Sequence, residues 1–168
     1  MTNILIIKHG SLGDLIQANG AIEDIKKTNS KSHVVLLTSY LYFDLMSRCP
    51  YVDEVLVDKR LPRWNLFYLY KLKKKLDTYN FTHVYDLQNS SRTKFYSKYV
   101  LNTPKWSSTE TTLEPGQLKS DFDEEPVLKR MEIQLRKSGI KMNNVKKSNL
   151  NWAIINIRDV TKNYFDGK

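Results

Sequence analysis

Cysteine is almost missing from this chain. Among 168 residues there is one, Cys49, so no internal disulfide can form and no cysteine cluster can hold a metal. A lone thiol fits a reducing compartment and reads as a small filler. Long apolar runs are missing as well. The opening MTNILIIKHG has too short an apolar run for a secretory signal, and nothing approaches the roughly 20 apolar residues a spanning helix needs. The expectation is a cytoplasmic protein whose contact with a membrane, if any, is peripheral. Acid is scarce: 18 Asp and Glu against 27 Lys and Arg give a formal net charge of +9, which favours nucleic acid, a phosphorylated substrate or an acidic membrane surface. No metal-ligand spacing joins His9, His33 and His83, so no metal is expected. What is present is a globular composition, 40% hydrophobic and 27% charged, with length enough for one core that buries roughly 70% of the unfolded surface.

Residues 3 to 8, NILIIK, form a β-branched apolar run closed by a glycine turn, the pattern of a buried parallel strand. From 14 to 27, Leu15, Ala18, Ala21, Ile22 and Ile25 recur at helical spacing. Strands are expected again at 33–38, 54–58 and 83–87, with helices around 42–47, at 64–77 and, capped by Ser90 or Ser91, at 90–101. The stretch 102–123 loses periodicity and reads as a long surface loop. Helical spacing returns over 124–140, with acid in the first turn, base in the last and Gly139 as stop. This alternation predicts a three-layer α/β, Rossmann-like domain with a mostly parallel sheet over 1–140. The segment 141–168 is weakly patterned; its WAIINI reads as a strand or as part of a linker.

The informative turn is KHGSLGD, residues 8 to 14. Strand, glycine turn and helix put Asp14 at the mouth of the crevice beyond the carboxyl end of the first strand, where open α/β sheets bind ligands. Glycines let a ligand approach the backbone, and free N–H groups at a helix start can hold an oxyanion. On pattern alone Asp14 is equally a helix-capping residue. The turn lacks the Gly-Lys-Ser/Thr of a Walker loop and the G-x-G-x-x-G of the dinucleotide fingerprint. A response-regulator reading needs acids grouped at strand ends, whereas the first strand ends in Lys8 and His9.

Taken in order, ILIIKHGSLGDLIQANGAIEDIKK, PYVDEVLVD and HVYDLQNSSRTKFYSKYV resemble the N-terminal half of the ADP-heptose:lipopolysaccharide heptosyltransferases, glycosyltransferase family 9. The resemblance implies a GT-B architecture of two Rossmann-like domains, the N-terminal one binding acceptor and the C-terminal one ADP-heptose, and inversion at the anomeric centre without a metal or other cofactor. It matches the S-x-G-D turn to Ser11, Gly13 and Asp14, the acid being the general base, and a D-x-Q-x-x-x-[KR] stretch to Asp86, Gln88 and Arg92 beside the acceptor. The partners it implies are a lipid A/inner-core lipopolysaccharide precursor, a nucleotide sugar held by a C-terminal domain missing here, and the cytoplasmic face of the inner membrane as a peripheral contact.

Phosphates and carboxylates on such an acceptor give the positive charge an object, with Lys8, Arg60, Arg63 and Arg92 as candidates to meet them by charge and hydrogen bonding. Arg60 and Arg63 read first as solvated surface charge. The lysines at 71 and 73–75 read as a solvated helix face, with membrane-surface attraction as the sharper alternative, and Trp64, Phe67, Tyr68 and Tyr70 as packing groups rather than a lipid-sensing belt. His9 reads as a ligand contact or a local hydrogen-bonding choice; His33 and His83 read as structural. The candidate site is therefore Asp14 as base, with Lys8, Ser11, Gly13, Gln88 and Arg92 around the acceptor. The rival reading is a non-catalytic module that binds an anionic saccharide or nucleotide. Nucleic acid is set aside, because no aromatic-basic RNA motif or recognition-helix signature is visible.

Overall fold

The computed structural model describes residues 2–103, 105–147 and 149–154. Five strands, β1 (Asn3–Ile7), β2 (His33–Thr38), β3 (Glu54–Val57), β4 (His83–Asp86) and β5 (Lys105–Ser107), form one sheet in the order β3-β2-β1-β4-β5. All four pairings are parallel. The chain winds outward through β1, β2 and β3, then returns to the other side of β1 for β4 and β5. The direction of winding therefore reverses between β1 and β4, and the crevice beyond their carboxyl ends is where such sheets bind ligands.

The central strand shows why the sheet is sandwiched. Ile4, Leu5, Ile6 and Ile7 are all buried, and alternation sends Ile4 and Ile6 to one face, Leu5 and Ile7 to the other. The first face is covered by Leu15, Ala18, Ala21, Ile22 and Ile25 of α1 (Leu12–Thr28) and by Met131 and Leu135 of α7 (Val127–Lys137). The second is covered by Leu69, Leu72 and Leu76 of α3 (Leu66–Asp77) and by Tyr96 of α4 (Ser91–Tyr99). Each fully buried aliphatic side chain contributes about 1.5–3 kcal/mol of transfer free energy. A short helix, α2 (Phe43–Met46), follows a 3-10 turn over Tyr40–Tyr42. The three layers expected from the alternation are present.

Past α7 the chain lies along α1. The backbone N–H groups of Asn143 and Asn144 donate to the buried carboxylate of Asp24, at 3.0 and 2.9 Å. Met142 and Val145 join the α1 side of the core. The WAIINI stretch begins in a 3-10 turn, Asn151–Ala153, and from residue 155 on lies outside the described residues, as does about half of the expected linker.

Three expectations are corrected. The stretch 102–123 is no plain loop: it holds β5, α5 (Thr109–Thr112) and most of α6 (Lys119–Glu124). Such short elements carry too few residues to show a period. The acids expected in the first turn of the last helix precede it, because Pro126 is the N-cap. Trp64, Phe67 and Tyr70 do not pack; all three are exposed, since Leu69, Leu72 and Leu76 already fill the buried side of α3.

Candidate functional site

The turn after β1 is built for tight passage. Gly10 has φ +85°, and a Cβ there would meet the Tyr42 ring at 2.7 Å, so both backbone and packing demand glycine. Ser11 is the N-cap of α1, and Asp14 stands three residues on. The Asp14 carboxylate accepts from the Ser11 backbone N–H at 2.7 Å and from the Ser11 hydroxyl at 3.0 Å, both on Oδ2. Its other oxygen lies 4.0 Å from Lys8 Nζ, and its side chain is 42% exposed. Partial burial pushes the Asp14 carboxyl up, but the Ser11 N–H, the Lys8 cation and the Ser11 hydroxyl together hold it below its ordinary value. Asp14 is thus both the capping acid and an ionised carboxylate open to the crevice.

Lys8 continues β1 and is buried. Its ammonium donates to the Leu87 carbonyl at 3.1 Å. Burial lowers its pKa, against the raising pull of the Asp14 and Asp86 charges. Gln88 reaches back across the switch point: its Oε1 accepts from the His9 N–H at 3.0 Å and from the Gly10 N–H at 3.4 Å. Lys8, Asp14, Gln88, Asn89, Thr109 and Arg130 line a cleft of about 150 Å³ at the carboxyl ends of β1 and β4. Gly13 sits in the first turn of α1, and a Cβ there would meet only Ser11 Oγ, at 4.0 Å.

Behind the cleft, Asp86 ends β4 in full burial. Its Oδ1 accepts from the N–H groups of Gln88 and Asn89, at 3.0 and 2.9 Å. Burial nevertheless pushes its carboxyl up to about 6. Asn89, held at φ +49°, donates to Gln134 Oε1 at 2.8 Å and accepts from the Thr109 N–H at 2.7 Å. Gln134 Nε2 in turn donates to the carbonyls of Asp86 and Ser107, at 3.0 and 3.1 Å. This network ties α7 and α5 to the ends of β4 and β5. It also shapes a second pocket of about 260 Å³, bounded by Asp86, Asn89, Ser90, Lys94, Trp106 and Thr109.

A further cluster lies at the end of β3. Asp58 is buried; His9 Nε2 lies 2.8 Å from its Oδ2, the Tyr96 hydroxyl donates to it at 2.8 Å, and the Tyr68 hydroxyl and the Arg60 N–H donate to Oδ1. Burial pushes the Asp58 carboxyl up, but His9, Tyr68 and the Arg60 N–H outweigh that and bring it down to about 2. Arg92 closes the cluster, donating to the Tyr96 hydroxyl at 2.9 Å and to the carbonyls of Arg60 and Leu61 at 3.1 and 2.9 Å.

Of the residues expected at the site, Lys8, Asp14 and Gln88 line one cleft, with Ser11 hydrogen-bonded to Asp14 and Gly13 between them. Arg92 does not line that cleft; it braces the β3–α3 connection. Between ligand contact and local hydrogen bonding, His9 takes the second, buried against Asp58. The sequence reading did not pick out Asn89, Thr109, Gln134 or Arg130. Thr109 was hidden in a stretch without periodicity, and the other three carry no motif, although a polar Gln134 on the apolar side of α7 was a visible signal.

No family model matches the sequence, and no curated protein does. Solved structures do match. Glycosyl transferase family 9 from Veillonella parvula superposes with a TM-score of 0.65 at 16% identity, over 98% of this chain and 48% of that one. The fold is that of half a family 9 glycosyltransferase. E. coli heptosyltransferase WaaC, solved with ADP-2-deoxy-2-fluoro heptose, gives 0.65 at 14% identity over 90% of this chain and 52% of its own. E. coli ADP-heptose lps heptosyltransferase II gives 0.62 at 17% identity, over 98% and 50%. The chain thus spans about half the length of these GT-B structures.

Proposed function

We propose that this chain is the acceptor-binding half of an inverting glycosyltransferase of the heptosyltransferase type, acting in the cytoplasm on a lipid A/inner-core acceptor. The observation that carries the reading is the open, ionised Asp14 carboxylate beside buried Lys8, in the switch-point cleft of a fold shared with heptosyltransferases. In the proposed step an acceptor hydroxyl oxygen bonds to the anomeric carbon of ADP-heptose as the bond from that carbon to the diphosphate oxygen breaks. The hydroxyl proton passes to Asp14, and ADP leaves with the electron pair. Asp14 is a weak base, since its pKa is held low. It is charged at every physiological pH, however, and the hydroxyl becomes strongly acidic only as its oxygen bonds to carbon, so a fixed carboxylate is a competent acceptor late in that step. Lys8 and Arg130 favour an anionic acceptor. Gln88 holds the turn that sets Asp14, and Arg92 acts through the connection it braces.

The test is Asp14→Asn in the chain assembled with a donor-binding half. Transfer should fall by about 10²–10⁴-fold while acceptor affinity changes little. Retention of most of the activity removes Asp14 as proton acceptor.

A further inference from the structure

His9 is a buried ionisable side chain in the turn of the site, and the proposed transfer does not use it. Residue 9 is held at three points, each just past a different strand. Its N–H donates to Gln88 Oε1 at 3.0 Å, beyond β4. Its carbonyl accepts from the Ser39 hydroxyl at 2.7 Å, beyond β2. Its ring nitrogen Nε2 lies 2.8 Å from Asp58 Oδ2, beyond β3, with both side chains at most 1% exposed. The same carboxylate accepts from the Arg60 N–H, the Tyr68 hydroxyl and the Tyr96 hydroxyl. With its carboxyl at about 2, Asp58 is ionised and can only accept, so His9 Nε2 carries the proton.

An apolar residue at position 9 would fill this space with no polar ring to desolvate beside a buried charge. What it would lack is direction, because a hydrogen bond fixes where the ring, and with it the backbone of residue 9, stands. Direction matters for what comes next. Gly10, at φ +85°, belongs to the residue type with the most backbone freedom, so it does not by itself decide where Ser11 goes. Downstream, α1 fixes the Asp14 backbone by burying Leu15 and Ala18 in the core. The Asp14 carboxylate, however, is held from the strand and the turn, by the Ser11 N–H and hydroxyl on Oδ2 and by Lys8 Nζ near the other oxygen. Lys8 and Ser11 flank residues 9 and 10. A shift of residue 9 therefore moves the groups that hold the carboxylate while its helix stays in place.

We propose that His9 is the positioning residue of this site: anchored on Asp58, its ring fixes the turn whose Ser11 N–H and Lys8 ammonium orient the Asp14 carboxylate. The consequence for transfer rests on the reading of Asp14 as proton acceptor; the effect on the carboxylate rests on geometry alone.

The test is titration of the Asp14 carboxyl by carbon-13 NMR in the full 168-residue chain, with Asp14→Asn to assign the resonance. His9→Leu removes the donor to Asp58, and the Asp14 pKa should rise toward the ordinary carboxylate value as Ser11 and Lys8 lose their hold. His9→Gln, whose amide N–H can reach Asp58, should restore the parental titration. Ser39→Ala removes the hydroxyl from the His9 carbonyl without touching a charge; it should shift Asp14 in the same direction as His9→Leu, and it serves where His9→Leu does not fold. In the chain assembled with a donor-binding half, His9→Leu should lower kcat by up to about 10²-fold, with the acceptor KM near the parent's. If Asp14 titrates as in the parent in folded His9→Leu or in Ser39→Ala, the assignment is overturned; a purely structural His9 predicts that result together with a lower melting temperature. A shifted Asp14 in a chain whose Asp14→Asn variant still transfers sugar would leave His9 as the positioning residue and remove Asp14 as proton acceptor.

Discussion

Gly13 separates a structural from a functional reading of the turn. Alanine fits its backbone and space, and in a helix is favoured over glycine by up to about 1 kcal/mol. Gly13→Ala should therefore keep or slightly raise the melting temperature while weakening acceptor binding; a variant that binds acceptor as the parent does would show that nothing approaches the backbone there. Asp58 makes the opposite case, a buried acid whose work is structural. Its folded pKa, about 2, lies below the unfolded value, so the stability it contributes is fully present above about pH 4 and is lost as pH falls through about 2. Asp58→Asn should cost about 3 kcal/mol near neutrality, with the gap to the parent narrowing below pH 4 in denaturant titrations; a gap constant from pH 7 to pH 2 would contradict the account. The sequence placed Asp14, Ser11 and Lys8 well because a strand-turn-helix junction fixes them locally. It could not show that His9 turns away to Asp58, a residue 49 positions later.

At the scale of elements, the long strands and helices were legible because their burial is periodic. Strand β2 was read at its observed bounds, and α1 was read through its five core residues. What escaped was short or wrapped. The strand β5 and the helices α5 and α6 are three to six residues long, too brief for a pattern. Asp24 and Gly20 look like the polar side of an amphipathic helix, yet residues 142–145 cover that side. A Cβ on Gly20 would meet the Asn144 carbonyl oxygen at 2.2 Å and its carbon at 2.8 Å, and backbone cannot swing aside as a side chain can. Gly20→Ala should destabilise by about 1–3 kcal/mol, with faster amide exchange at Asn143 and Asn144; unchanged exchange there would mean the segment is not bound to α1 as described. Sequence pattern also missed the character of α3, because aromatic spacing does not tell which side of a helix meets the sheet.

Across the whole molecule, winding order sets the geography. The reversal between β1 and β4 gathers Lys8 and Asp14, Gln88, and Arg130 from three separate parts of the chain into one cleft, while the charge excess lies apart on α3 and the connection before it. Among the described residues no helix is long and apolar enough to cross a membrane. The likeness to heptosyltransferase structures covers about half of each, and the central claim is that this half binds the acceptor. Calorimetric titration of the purified chain with a Kdo-bearing lipid A acceptor, and separately with ADP, tests it most directly. The account predicts saturable acceptor binding, weakened by salt as the Lys8 and Arg130 charges are screened, and no heat from ADP. Binding of ADP without binding of acceptor would contradict it and point to a free-standing nucleotide-binding module.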